Sequence, residues 1–136
     1  TRGDQPGLWF AKPTYNFDSA AGIDYEVDVT KPEGGRVKIL RMSSGEPFDP
    51  SRFYTVAMNS YRANGGGELL TRGAGIAHDE LESRIVQKSE YDLRYYLTQE
   101  IKRKGIVNPK PNHNWRFVPE KWVKQAAARD FKTLFE

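Results

Sequence analysis

The 136-residue sequence has no cysteine and only two histidines, His78 and His113. Without cysteine, neither a disulfide framework nor a thiolate metal site can form. The histidines lie in different segments, and neither has a second metal ligand at a typical spacing, so we interpret both as surface residues. The sequence also lacks an apolar run long enough to span a membrane and a charged-then-apolar signal segment.

The common catalytic motifs are missing as well. There is no Ser-His-Asp order with a nucleophile elbow, and no Walker-type phosphate loop. Asp24, Glu26 and Asp28 form an acidic row. Because they alternate with apolar residues, we interpret them as the solvated face of a strand rather than a catalytic cluster. The sequence therefore predicts no catalytic residue and no cofactor site in this chain.

The charge imbalance is small. Twenty-one basic and 18 acidic residues give a net charge of +3, which mildly favours anionic partners. The densest basic run, residues 102–104, precedes Gly105 at the end of a helical pattern. Cations there complement the helix dipole, and we prefer this interpretation to a nucleic-acid patch, which needs a whole basic face.

Apolar alternation predicts a small antiparallel sheet. Residues 23–30 alternate apolar and acidic side chains, the Gly- and Pro-containing residues 31–35 form a turn, and the alternation resumes over residues 36–40. Residues 53–59 alternate again, which predicts a third antiparallel strand, and residues 114–118 an edge strand. A further short strand is expected at residues 84–87.

Helical patterns flank these strands. We expect one or two brief helices within residues 68–82, and the clearest helix over residues 89–104, with Ser89 as N-cap, Asp92 as its capping-box partner and Gly105 as the stop. Pro119 is expected at the first position of a last helix. That helix carries an apolar stripe of Val123, Ala127, Phe131 and Leu134. The fold class is therefore α+β, with antiparallel strands and flanking helices.

The most informative segment is residues 59–68, Asn-Ser-Tyr-Arg-Ala-Asn-Gly-Gly-Gly-Glu. Tyr61 offers a stacking face at a predicted strand end, and glycines beside it let a ligand approach the main chain. Arg62 can pair with phosphate, and Asn64 can bond to base or ribose edges. Consecutive glycines also occur where a strand-to-helix turn needs positive φ, and composition does not separate the two interpretations.

Several motifs in register resemble the C-terminal domain of the 5′-nucleotidase family, and most of all its bifunctional 2′,3′-cyclic-nucleotide 2′-phosphodiesterase/3′-nucleotidase branch. The resemblance covers residues 15–118. Its segments are residues 15–18 (Tyr-Asn-Phe-Asp), 22–30 (Gly-Ile-Asp-Tyr-Glu-Val-Asp-Val-Thr), 45–50 (Gly-Glu-Pro-Phe-Asp-Pro), 54–57 (Tyr-Thr-Val-Ala) and 59–66 (Asn-Ser-Tyr-Arg-Ala-Asn-Gly-Gly).

The resemblance implies a nucleobase- or nucleoside-binding domain with the four-layer αββα fold, which grips the base between two aromatic rings. Tyr61 falls on the second of these. An N-terminal metallophosphoesterase domain with divalent metal ions cleaves the phosphate ester, and the enzyme is periplasmic or extracellular. The implied site residues here are Tyr61, Arg62, Asn64, Gly65, Gly66 and Gly67, with Tyr15 and Asn16 near the base.

The sequence departs from the family at two points. At Gly67 the 5′-nucleotidase branch has an aspartate that accepts ribose hydroxyls, so the glycine favours cyclic or 3′-nucleotides. The strand with the first stacking aromatic, and a helix that completes the fold, are not found in the sequence. Since the chain begins at Thr1 without a periodic pattern, we expect a processed or excised piece of a longer protein.

Three regions follow from this comparison: an irregular segment over residues 1–14, a partial nucleoside-binding domain over residues 15–118, and a helical extension over residues 119–136. The apolar stripe of the extension is expected to cover the N-terminal domain or a second copy of the chain. The alternative function is a non-enzymatic binding module for single-stranded nucleic acid or protein.

Overall fold

Three strands form one mixed sheet in the computed structural model, which describes residues 14–135. Strand β1 is Ile23–Asp28, β2 is Val37–Met42 and β3 is Trp115–Val118, in the order β2-β1-β3. β1 pairs antiparallel with β2 and parallel with β3. The predicted hairpin and the edge strand are confirmed, and so is the α+β class.

The third antiparallel strand, predicted over residues 53–59, is wrong, because residues 53–59 are irregular. The free edge of β1 is taken instead by β3, whose side chains complete an aromatic face. Trp115 stacks on Tyr25 with ring centroids 5.9 Å apart and an interplanar angle of 9°, and Phe17 lies 5.9 Å from Trp115. Tyr25 is buried, so this aromatic face is the apolar layer of the sheet.

The acidic row was predicted to be the solvated face of β1, and its carboxylates are half-buried and hydrogen-bonded. Asp24 accepts hydrogen bonds from Arg41 at 2.7 Å and Ser43 at 2.8 Å. These bonds, that of Arg41 foremost, hold the pKa of Asp24 below its ordinary value. Glu26 accepts from Arg116 Nε on β3 at 2.9 Å. The row ties the three strands together across one face.

Three α-helices occur in the described residues: α1 is Ser60–Ala63, α2 is Leu93–Lys104 and α3 is Glu120–Phe135. Helix α3 contacts β3, and its half-buried side chains are Val123, Ala126 and Leu134. Ala127 and Phe131 of the predicted stripe are exposed. The predicted start at Pro119 is one residue early, since its carbonyl accepts from Trp122 and Val123 and the helix begins at Glu120.

Helix α2 begins later than predicted. Asp92, not Ser89, is its N-cap, and Asp92 Oδ1 accepts from Tyr95 N at 2.9 Å. Gly105 ends the helix with φ 73°, as predicted. The predicted apolar face of Leu93, Tyr96, Leu97 and Ile101 exists, but all four side chains are exposed. Residues 84–87 contain no strand, because Glu82–Arg84 is a 3-10 turn and residues 85–87 are irregular.

The described chain divides into two units. One contains the sheet and α3 and comprises residues 14–49 and 112–135; the other contains α1 and α2 and comprises residues 50–111. The second unit has Leu81 and Arg62 as its buried residues. Of the predicted irregular segment at residues 1–14, residues 1–13 lie outside the described residues.

Candidate functional site

The Tyr61 turn, residues 59–68, opens with the single helical turn α1. Asn59 is its N-cap, with extended backbone (φ −74°, ψ 162°), and Asn59 Oδ1 accepts from Arg62 N at 2.9 Å. Asparagine suits this position because its short side chain reaches an otherwise unpaired N–H of the first turn. Tyr61 therefore lies in the first turn of a helix, and not at a strand end as the sequence suggested.

Two of the three glycines reverse the chain after α1. Gly65 has φ 87° and Gly67 has φ 70°, both left-handed, and Glu68 follows with φ 61°. Side chains with a β-carbon disfavour this region, whereas glycine enters it freely. Positive φ in a turn, the second interpretation of these consecutive glycines, is thus found at Gly65 and Gly67, although the turn follows a helix rather than a strand.

Gly66 has a different role, because the Tyr61 ring lies directly against it. A β-carbon at Gly66 would lie 2.5 Å from Tyr61 Cε2 and 2.6 Å from Cδ2, far inside van der Waals contact. Only glycine leaves room for the ring in this position.

Arg62 lies beneath the same ring. Its guanidinium carbon is 5.2 Å from the centroid of the Tyr61 ring, and Nη1 donates to the Gly66 carbonyl at 3.1 Å. Arg62 is only 5% exposed. The side chain is therefore directed into the turn, and its predicted pairing with phosphate stays a prediction that this geometry does not favour.

Gly65 anchors the turn to the rest of its unit. A β-carbon there would lie 3.1 Å from Leu81 Cδ1 and 3.4 Å from His78 Cδ2. Leu81 is buried, so Gly65 packs on the small apolar centre of this unit. His78 is an exposed residue beside the turn, in agreement with its surface assignment.

Three of the predicted site residues in the turn face solvent. Tyr61 is 52% exposed, and Asn64 and Gly67 are exposed as well. A half-exposed planar ring, an amide that both donates and accepts, and bare backbone together suit the binding of a flat polar ring. The Tyr61 ring is not packed inward among aliphatic side chains, as a purely structural tyrosine would be.

Tyr15 and Asn16 belong to the other unit. They lie in a 3-10 turn, Thr14–Asn16, where Tyr15 is 73% exposed and Asn16 is half-buried. The structure thus brings together Tyr61, Arg62, Asn64 and the three glycines in one turn. The assignment of Tyr15 and Asn16 to the same site stays a prediction.

The residues described here do not fit a metal ion. Between residues 14 and 135, no group of three or more His, Asp or Glu side chains is placed to hold one. In the same part of the chain, no helix combines the length and the apolarity needed to cross a bilayer.

Sequence reasoning missed the cap and the orientation of Arg62. An asparagine three residues before Arg62 is a helix-start signal that could have placed Tyr61 on a helix. The sequence contains no such signal for the inward direction of Arg62, because an arginine beside an aromatic residue can be either buried against the ring or exposed to solvent.

Comparison with known proteins gives one family and several relatives. The 5′-nucleotidase C-terminal domain model matches residues 6–72. The trifunctional nucleotide phosphoesterase protein YfkN of Bacillus subtilis is 38% identical over 128 residues, covering 86% of this chain and 8% of the relative. No solved structure gives a significant match.

Two further relatives are both 2′,3′-cyclic-nucleotide 2′-phosphodiesterase/3′-nucleotidases. That of Haemophilus influenzae is 36% identical over 126 residues, and that of Salmonella typhimurium is 31% identical over 123 residues. Each alignment covers 82% of this chain and 18% of the relative. The chain thus spans less than a fifth of the length of these relatives. Through residues 6–72, which include Tyr61 and the glycines, the chain belongs to the 5′-nucleotidase C-terminal domain family.

Proposed function

We propose that this chain is the nucleoside-recognising domain of a nucleotide-hydrolysing phosphoesterase, and that Tyr61 stacks on the nucleobase. The observation that carries the proposal is the half-exposed Tyr61 ring, fixed between the Gly66 backbone and the Arg62 guanidinium. A ring held rigidly with solvent beside it loses little conformational entropy when a base stacks on it.

The neighbouring exposed groups suit the polar parts of a nucleoside. The amide of Asn64 can donate to and accept from base or ribose edges. The backbone of Gly67 is open to a close approach by the ribose. We also propose Tyr15 and Asn16 as residues near the base, on the family resemblance alone. Stacking tolerates any base and contributes about 1–3 kcal/mol, which suits an enzyme that accepts many nucleotides.

We propose cyclic 2′,3′-nucleotides or 3′-nucleotides as the substrates. The relatives from Haemophilus influenzae and Salmonella typhimurium are named for these activities. In addition, Gly67 lacks the carboxylate that the 5′-nucleotidase branch has at this position. A carboxylate there would repel a phosphate on the ribose 2′ or 3′ oxygen. A 5′-nucleotide is the competing substrate.

The hydrolysis itself is assigned to a separate N-terminal metallophosphoesterase domain. Its divalent metal ions would supply the Lewis acid for phosphate-ester cleavage. In this proposal residues 15–118 bind substrate, and helix α3 in residues 119–136 covers the catalytic domain or pairs two copies. The enzyme acts in the periplasm or outside the cell.

The test is a comparison of Tyr61→Ala and Tyr61→Phe. Isothermal titration of this protein with adenosine should show about 5- to 150-fold weaker binding for Tyr61→Ala, and little change for Tyr61→Phe, which keeps the ring. In the complete natural enzyme, Tyr61→Ala should raise KM for 3′-AMP through the lost stacking. If the adenosine affinity of Tyr61→Ala is unchanged, Tyr61 does not belong to the site and the proposal fails.

Single-stranded nucleic acid is the alternative ligand, and an exposed aromatic cluster favours it. Tyr91 and Tyr95 stack with centroids 4.3 Å apart, and Tyr95 meets Tyr96 edge-on at 5.5 Å. Yet Glu100 pairs with both Arg103 and Lys104, which offsets part of the positive charge of the nearby basic run. Oligonucleotide affinity that falls steeply with salt would support this alternative, whereas mononucleotide binding with little salt dependence supports the first.

A further inference from the structure

We propose that Arg62 is a positioning residue: it fixes the Tyr61 ring from one face, so that the base stacks on the other. The inference rests on the proposed function. It gives Arg62 a role in base affinity although the side chain does not touch the ligand.

The first observation is the cation over the ring. The Arg62 guanidinium carbon lies 5.2 Å from the ring centroid, within the range of a cation–π contact. Arg62 is only 5% exposed, so water competes little with this contact. A planar ring has two faces, and the guanidinium occupies one of them. The half-exposed Tyr61 must therefore use its other face for a base.

The second observation is how Arg62 itself is held. Its backbone N–H is bonded to Asn59 Oδ1 at 2.9 Å, and its Nη1 to the Gly66 carbonyl at 3.1 Å. Gly66 in turn touches the edge atoms Cδ2 and Cε2 of Tyr61. Ring, guanidinium and glycine backbone thus contact one another in a closed triangle. Rotation of Tyr61 would break the contact with Arg62 and collide with Gly66.

The cation also changes what the free face offers. Both the phenol ring and a nucleobase have negative faces, which repel when stacked face to face. A cation on the buried face offsets this negative potential. Arg62 therefore favours stacking in two ways, by orienting the ring and by reducing the electrostatic repulsion. A lysine would keep the charge but lose the planar guanidinium that spans ring and carbonyl.

The experiment uses Arg62→Met, which keeps an unbranched side chain with an apolar stem and removes the guanidinium and its charge. In the free protein with 13C-labelled tyrosine, the Tyr61 ring resonances should shift and the ring should rotate faster. Adenosine binding should weaken about 2- to 30-fold, the span from an exposed to a desolvated cation–π contact. Arg84→Met, which removes an exposed arginine in the same unit, is the matched control and should change neither.

A double-mutant cycle separates positioning from direct contact. If Arg62 acts through Tyr61, Arg62→Met should have no further effect on adenosine affinity in the Tyr61→Ala background. A loss that persists there, or an equal loss for ribose 3-phosphate, would show that Arg62 contacts the ligand and would overturn the inference. Should Arg62→Met unfold, Arg62→Lys replaces it, with an intermediate loss expected.

The two proposals fail in different measurements. Tyr61→Ala without effect on adenosine affinity would defeat the proposed function. Unchanged Tyr61 resonances in Arg62→Met, or in Arg62→Lys where the methionine variant unfolds, would defeat the positioning role even if Tyr61 proves essential for binding.

Discussion

The Tyr61 ring and the α-carbon of Gly66 are in such close contact that no side chain fits between them. A β-carbon on Gly66 would lie 2.5 Å from Tyr61 Cε2 and 2.6 Å from the Tyr61 carbonyl oxygen. Neither neighbour can yield cheaply, since the ring is backed by Arg62 and the carbonyl is main chain. The orientation of the ring is therefore encoded by the absence of a side chain five residues later.

Gly66→Ala should displace the Tyr61 ring and weaken adenosine binding by most of the stacking contribution of about 1–3 kcal/mol. Gly73→Ala is the matched control, because a β-carbon at Gly73 meets only Glu68 O, at an ordinary 3.6 Å. Titration calorimetry of both variants checks the prediction. Wild-type affinity in Gly66→Ala would mean that the ring does not need this position to bind.

The sheet shows what alternation in a sequence can and cannot predict. The β1–β2 hairpin was predictable because its turn is short and both strands alternate locally. Residues 53–59 alternate as well, yet they pair with nothing in the sheet, and Phe53 is fully exposed. Periodicity reports which face a strand would bury, but not whether a partner edge is available.

The second edge of β1 pairs with β3, which comes from far along the chain. Apolar alternation in the sequence does not predict this pairing. Trp115 completes the stack on Tyr25, and Arg116 pairs with Glu26 across the strands. These are contacts between residues some ninety positions apart. The positive φ of Gly65 and Gly67 was predictable, because glycine adopts such φ values more readily than other residues. The inward direction of Arg62 was not predictable, because it depends on how the folded unit packs around that side chain.

Gly67 offers a test of substrate choice. Its φ of 70° is one that Asp and Asn tolerate better than other side chains, so Gly67→Asp should fold. A carboxylate about 4 Å from a ribose phosphate costs about 1–4 kcal/mol, depending on solvent exposure. Gly67→Asp should therefore weaken binding of 3′-AMP much more than that of adenosine.

Gly67→Asn is the control, because it has the same shape without the charge. The affinities for 3′-AMP, 5′-AMP and adenosine in both variants decide the matter. If the aspartate and asparagine variants lose 3′-AMP affinity equally, charge is not the discriminating factor, and the argument for cyclic or 3′-nucleotides loses its support from Gly67.

The start of helix α2 can be tested by removing each candidate cap. Asp92→Ala takes away the carboxylate that accepts from Tyr95 N and should reduce the free energy of unfolding by about 0.5–2 kcal/mol. Ser89→Ala should cost less, since its hydroxyl donates only to the exposed carbonyl of Tyr91. Urea unfolding followed by circular dichroism measures both. A larger loss for Ser89→Ala would restore the start predicted from the sequence.

Glu100 should titrate far below an ordinary glutamate. Hydrogen bonds from Arg103, and next from Lys104, lower its pKa from 4.5 to about 2. Since the folded-state pKa is depressed, its stabilising effect on α2 is fully present above pH 4.5 and is lost as the pH falls toward 2. The carboxyl 13C resonance of Glu100, followed from pH 6 downward, should give a midpoint near the lower value.

Arg103→Gln should raise that midpoint, because it removes the foremost cause of the shift, and high salt should raise it too. A midpoint at the ordinary value in the wild-type protein would show that the pairs with Arg103 and Lys104 do not persist in solution, and the basic run would then be available to an anionic ligand.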